Sequence, residues 1–386
     1  MGSRPMAPLI SLARIDRAVV APEAIRSGTS YVGLENIQSG GRLTHVGTVE
    51  TGEIASSKFR FTNRHVLFGK LRPNLAKVAR PDFDGVCSTD ILPLLPGPEL
   101  DRDYLAQFLL RRETVALATS MATGANLPRI SPAQVGKIQI PVLSLAEQRR
   151  IADILDRADA LRAKRRANLA DIETLTAEIF LEMFGDPVTN PRRWPHKSLG
   201  DLITFQQYGP RFFGESYSRD GVRIVRITDV NERGTLTFGA MPRMTVCESD
   251  LQKYSLKPGD ILFARSGATV GKTALIEDDD PVCIAGAYFI VMRFSDVVRP
   301  AYVAGALRSR SIQSIVARRS RQAAQQNFSG PELRRLPLPV PPMEVQRRFL
   351  DALRKIQRLR TGVEASLAEL DALFASLQHR AFRGEL

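Results

Sequence analysis

A chain of 386 residues is long enough for two or more domains. Its 54 Lys and Arg against 41 Asp and Glu leave a net charge of +13, which suits a polyanionic partner. The longest apolar stretch, Val282 to Met292, is too short to cross a bilayer, and the N-terminus lacks the apolar core of a signal peptide. Cys87, Cys247 and Cys283 show no CxxC spacing, which argues against structural zinc or a disulfide framework and for a reducing cytoplasm.

Residues 1–140 read as a mixed α/β domain. Tyr31 to Ile37 is expected to be a strand entering a turn, Val66 to Phe68 a second strand and Val86 to Leu95 a third. Asp101 to Arg112 has helical periodicity, with Tyr104, Leu105, Phe108 and Leu109 on one side. A loop around Ala122 to Arg129 leads to a strand at Ile138 to Pro141.

A long helix is predicted next, within a segment 141–186. Ser144 and Glu147 form a capping box, and no Pro or Gly follows until Gly185. At 1.5 Å per residue the rod is roughly 60 Å long. Ile151, Ile154, Ala158, Leu161, Ile172, Leu175 and Ile179 recur at the spacings of a heptad seam. Arg162, Lys164, Arg165 and Arg166 make a basic run at mid-helix, open to DNA or an acidic partner or simply a charged face.

Gly185 to Pro195 is a Pro-rich boundary, and a second mixed domain runs over 187–338. Val222 to Ile227 is expected to be a strand, Lys257 to Asp260 a turn, and Ile261 to Phe263 a strand. Val282 to Arg293 reads as one buried strand, and Ala301 to Arg319 as a helix. Residues 339–386 carry a second long helix.

That helix repeats the first. Adding 198 turns Pro141 into Pro339, Gln148-Arg149-Arg150 into Gln346-Arg347-Arg348, and Phe184 into Phe382, without a gap. Its seam is Phe349, Ala352, Ile356, Leu359, Val363, Leu370, Leu373 and Leu377. Gly362, opposite Lys164 in the repeat, is expected to let two backbones approach. The domains match more loosely: Leu34 to Ile37 with Ile227 to Val230, Val66 to Phe68 with Ile261 to Phe263, Cys87 with Cys283, Tyr104 with Tyr302, and Asn126 with Asn327. The expected fold is α+β: two mixed domains in tandem, joined by two long helices in an antiparallel coiled coil with pseudo-two-fold symmetry.

Catalytic constellations are missing from the sequence. Ser266 to Thr273, SGATVGKT, is one residue short of a phosphate-binding loop, and reads as a glycine-rich turn between strands. No (N/D)PP(Y/F) motif, cofactor loop or nuclease core is present. His45, His65, His196 and His379 lack ligand spacing, and Asp278 to Asp280 read as a solvated turn. No metal and no cofactor is expected on this chain. Candidate DNA contacts are Arg60, Arg64, Lys70, Arg72, Lys77 and Arg129 in the first domain. In the second they are Arg211, Arg226, Arg243, Arg265, Lys272, Arg321, Gln325 and Asn327. Arg pairs with guanine, and Gln or Asn with adenine, while Lys and Arg on phosphates set register only. Arg318 to Arg321 is a dense basic cluster, and Phe212-Phe213 is either core or an exposed wedge.

The alternation of differing domain and repeated helix resembles the specificity subunit of type I restriction-modification systems. The resemblance covers essentially the whole chain. Its carriers are Ile140-Pro141-Val142 with Glu147 to Ile151, Leu338-Pro339-Val340 with Gln346 to Phe349, Trp194 with Leu199 to Leu202, and Pro258 to Phe263. The first domain lacks the Trp and Leu-Gly-Asp opening and starts with Leu9 to Leu12. The resemblance implies a non-catalytic subunit whose two domains each read one half of a split DNA target. The coiled coil would set their separation and dock two methyltransferase subunits and, through them, restriction subunits. S-adenosylmethionine and ATP would sit on those partners. Two rivals remain at this point: a stand-alone nuclease or methyltransferase, and a coiled-coil scaffold that ignores DNA sequence. Inserting four residues into one helix is expected to alter the gap between half-sites, not their identity.

Overall fold

The computed structural model describes residues 5–50, 52–211, 217–231, 234–267, 269–320 and 327–386. The chain divides into two compact units, one of Met1–Arg166 with Ala365–Leu386 and one of Ala167–Glu364. Each unit therefore holds one mixed domain and a half of both long helices. No helix among the described residues is long and apolar enough to cross a membrane.

The first long helix spans Leu145–Phe184, 40 residues, and the second Met343–Arg383, 41 residues. Ser144 Oγ accepts the amide of Glu147, as a capping residue should. In the first unit, Ile151, Ala152 and Leu155 share a core with Phe374, Leu377, Ala381 and Phe382. In the second, Phe180 and Phe184 pack on Phe349 and Leu353. The head of one helix meets the tail of the other in each unit, so the pair runs antiparallel there.

The seam differs from the expected one. Ile151, Ala158, Ile172, Ile179, Phe349, Ile356, Val363, Leu370 and Leu377 are buried or half-buried, and Ile154 and Ala352 are half-buried at its edge. Leu161, Leu175, Leu359 and Leu373 are exposed. The stripe instead passes through Leu155, Arg162, Leu169 and Thr176, and through Leu353, Arg360, Leu367 and Phe374. Arg162 shows why polarity misled. Its guanidinium lies 4.2 Å from the Phe374 ring centroid while Nε reaches Asp371 at 2.5 Å, so stem and head are both satisfied. Gly362 is exposed, and a Cβ there would meet nothing within 4 Å. The close-approach expectation is therefore wrong, since the glycine faces outward.

The two domains share a topology. In the first, Ala13–Ile15, Ile91–Pro96, Val66–Gly69 and Val78–Ala79 form a sheet in that order. In the second, Ile203–Tyr208, Phe289–Phe294, Ile261–Ala264 and Thr273–Leu275 do the same. A parallel pair recurs too, Thr29–Val32 on Gly85–Cys87 and Val222–Val225 on Cys283–Ala285. Three expected elements are split. Val86 to Leu95 and Val282 to Arg293 each break into two strands at a turn, which sends one half to each sheet. Ala301 to Arg319 is two helices, Pro300–Arg308 and Arg310–Ser320. In the first domain a helix at Arg112–Ser120 follows Arg102–Leu109.

A buried glutamine joins each domain to its helix. Gln148 Oε1 accepts from the Asp101 amide at 2.7 Å, and its Nε2 donates to the carbonyls of Glu99 and Leu143. Gln346 does likewise with the Arg299 amide at 2.7 Å and the carbonyls of Val297 and Pro341. Tyr104 donates its hydroxyl to the Pro141 carbonyl, and Tyr302 to that of Pro339. This explains the repeated Gln and Pro of the sequence motif: every polar atom of the buried amide is used.

Candidate nucleic-acid interface

In the first unit, a hairpin loop leaves Val66–Gly69 and returns at Val78–Ala79. The loop after the helix Arg112–Ser120 is stitched to it. The Arg72 amide donates to the Pro128 carbonyl at 2.8 Å, and the Ile130 amide to that of Lys70 at 3.0 Å. This brings Lys70, Arg72 and Arg129 to one edge. Asp90 is the carboxylate among them, with Arg129 Nε at 3.1 Å and Lys70 Nζ at 3.8 Å. That hydrogen-bonded pairing raises the Arg129 pKa above its ordinary value. Arg72 is exposed and left-handed, at φ 51°, and Ala76, half-buried, is left-handed too, at φ 47°.

The second unit repeats the edge with other side chains. The loop after Ile261–Ala264 returns at Thr273–Leu275. Its left-handed positions are glycines, Gly267 at φ 82° and Gly271 at φ 96°. The Phe328 amide donates to the Arg265 carbonyl at 2.7 Å, and Ser266 bridges to Asn327. Asn327 thus corresponds to Arg129, and the expected match to Asn126 is out of register. The place of Asp90 is taken by Tyr288, whose carbonyl accepts the Arg265 amide as that of Asp90 accepts the Lys70 amide.

Several expected contacts are spent internally. Lys77 Nζ donates to the Leu34 carbonyl at 2.5 Å and Lys272 Nζ to the Val230 carbonyl at 3.1 Å, both as loop buttresses. Arg226 grips Asp229 at 2.8 and 3.0 Å, which raises the Arg226 pKa. Arg60, Arg64 and Arg211 are exposed, and Arg243 is half-buried on a short strand. Arg318 and Arg319 are exposed at the end of their helix. Arg321, Gln325, Phe212 and Phe213 lie outside the described residues. Missed by the sequence reading were Asp90, Tyr208 and Tyr288, the residues that flank these cations. The signal was available in the strand pairing, which sets Asp90 and Tyr288 each just before a strand that pairs with the loop's first strand.

Burial pushes the thiols of Cys87 and Cys283 up to about 12, so neither is a nucleophile at neutral pH. The described residues hold no cluster of His, Cys, Asp and Glu fit for a metal. Asp278 to Asp280 lie in a turn closed by the Glu277 amide on Asp280.

The family model for the type I restriction modification DNA specificity domain matches this chain twice, over residues 25–173 and 191–370. The chain belongs to that family. Its two specificity domains carry the two edges, one each. It is 27% identical over 153 residues to the type I restriction enzyme EcoDI specificity subunit of Escherichia coli, covering 39% of this chain and 34% of that one. It is 25% identical over 281 residues to the EcoBI specificity subunit of the same species, covering 64% and 58%. The chain thus spans about a third to three fifths of the length of these relatives. A solved structure described for the assembly and conformational transition of a type I R-M system matches with a TM-score of 0.65 at 20% identity, covering 100% of both chains. That likeness establishes the shared fold.

Proposed function

We propose that this chain is the DNA-reading subunit of a type I restriction-modification complex, working in the cytoplasm. Each specificity domain reads one half of a split target, and the antiparallel helices hold the halves at a fixed gap. Lys70, Arg72 and Arg129 are the first domain's contacts, and Arg265 and Asn327 the second's. Arg60, Arg64, Arg211 and Arg243 engage phosphates, with Arg321 and Gln325 as further contacts. Lys77, Lys272 and Arg226 act through the loops they brace.

The observation that carries this reading is the duplicated edge. Two copies of one scaffold present different side chains at equivalent places, which is what two readers of two different words require. The net charge of +13 supports a polyanion partner. On this reading two methyltransferase subunits dock on the near-equivalent helix pair, and restriction subunits join through them. S-adenosylmethionine and ATP belong to those partners. Producing the chain with its methyltransferase partner and sequencing the modified genome tests the proposal. A two-part word with a constant gap is expected, and a single uninterrupted word overturns it.

A further inference from the structure

The backbone of Arg265 is fixed on both sides, by the Tyr288 carbonyl at 2.9 Å and the Phe328 amide at 2.7 Å, as that of Lys70 is by Asp90 and Ile130. Among the described cations of the two edges, its side chain is set apart by its partners. Its guanidinium carbon lies over the ring of Tyr208, 4.7 Å from the centroid. Tyr208 is itself held: its hydroxyl accepts the Gly330 amide at 3.1 Å, and its backbone pairs with Ile290. A Cβ at Gly330 would meet that hydroxyl at 2.9 Å, so the glycine makes the approach possible.

The Nε of Arg265 is buried without a hydrogen-bond partner, and no carboxylate among the described residues pairs with it. Lys70, in the same place in the first unit, has Asp90. A guanidinium desolvated in part and left unpaired is costly unless a ligand completes it. Contact with a ring restricts its rotamers without consuming an N–H donor. Phosphate contacts tolerate a mobile side chain, whereas a two-point contact on a base edge needs one held in place. The planar fork of an arginine matches the O6 and N7 acceptors of guanine.

We infer that Arg265, positioned by Tyr208, reads a guanine in the half-site of the second domain, an inference that rests on the proposed function. Tyr208 is a positioning residue.

The test uses the full complex of this chain with its methyltransferase partner, acting on DNA with a randomised target. The wild-type complex is expected to require a G·C pair at one position of one half-word. Arg265→Gln and Arg265→Lys should each lower discrimination at that pair on the order of ten- to a hundred-fold, because lysine keeps the charge but not the fork. Tyr208→Ala should relax the same pair, and Tyr208→Phe should not. The other half-word and the gap stay unchanged, which shows that the variants fold. If Arg265→Gln weakens all sequences alike and Arg265→Lys restores them, the side chain is on a phosphate and the inference fails. It fails as well if every base preference survives Arg265→Gln. Both results leave the split word intact. Absence of a split word with wild-type protein instead sinks the reading beneath it.

Discussion

The hairpin edges of the two units show how one backbone carries two chemistries. In the first, Asp90 gathers Lys70 and Arg129 into ion pairs, so the edge presents a carboxylate among cations. In the second, the ring of Tyr208 lies against an arginine that no carboxylate among the described residues pairs with, and Asn327 stands where Arg129 stood. The loops keep their left-handed corners in both units, filled by Arg72 and Ala76 in one and by Gly267 and Gly271 in the other. Scaffold geometry is thus held constant while the side chains vary. The first unit tolerates backbone strain of about 1 kcal/mol at Arg72, which glycine would remove, and an exposed arginine is what it gains.

The comparison can be pressed hardest at the joints that both units share. Gln148→Leu and Gln346→Leu each leave one amide and two carbonyls without a partner, at a cost of about 2–4 kcal/mol. Hydrogen exchange should show each substitution loosening its own unit and sparing the other. Asp90→Tyr gives the first unit the second unit's residue and releases Lys70 and Arg129. Base preference in one half-word should shift on the order of ten-fold, read from the modified genome, with the gap unchanged. The strained corners make a mirror pair. Gly267→Ala should cost about 1 kcal/mol, and Arg72→Gly should add up to about 1 kcal/mol in thermal unfolding.

A pH difference is the subtlest contrast. His65 Nδ1 caps its turn by accepting the Thr62 amide, where the second unit uses Asp260 on the Lys257 amide, itself paired with Arg293. Burial lowers the His65 pKa, outweighing Asp16 at 3.6 Å. The unfolded chain then binds the proton more readily, so the first unit loses stability as pH falls below the ordinary histidine value of about 6.5. His65→Asn should flatten that acid slope in unfolding measurements between pH 7.5 and 5.5. Gly362→Ala, on the outer face of its helix, should stabilise by about 1 kcal/mol with no change in any base preference.

The duplication was legible because it is written in gapless spacing, and so were the helix lengths, the capping Ser144 and the paired Tyr104 and Tyr302. The exact seam was not. A heptad read from apolarity prefers Leu161 to Arg162, yet Arg162 gains a ring and a carboxylate that only the fold brings near. The edges were legible as a list of cations but not as arrangements. Lys77 and Lys272 look like surface charges in sequence and prove to be braces on carbonyls 43 and 42 residues away. Asp90 and Tyr288 carried no signal until strand pairing placed them opposite one another in the two copies.

The matched glutamine joints have a practical meaning. Each domain leaves its helix through the same few hydrogen bonds, so within each unit domain and helix meet at an equivalent joint. On the proposed function, a foreign domain ending in the same tyrosine, strand and loop would find the same hydrogen-bond partners on its helix, so a new half-word could be introduced by exchange without redesigning the joint.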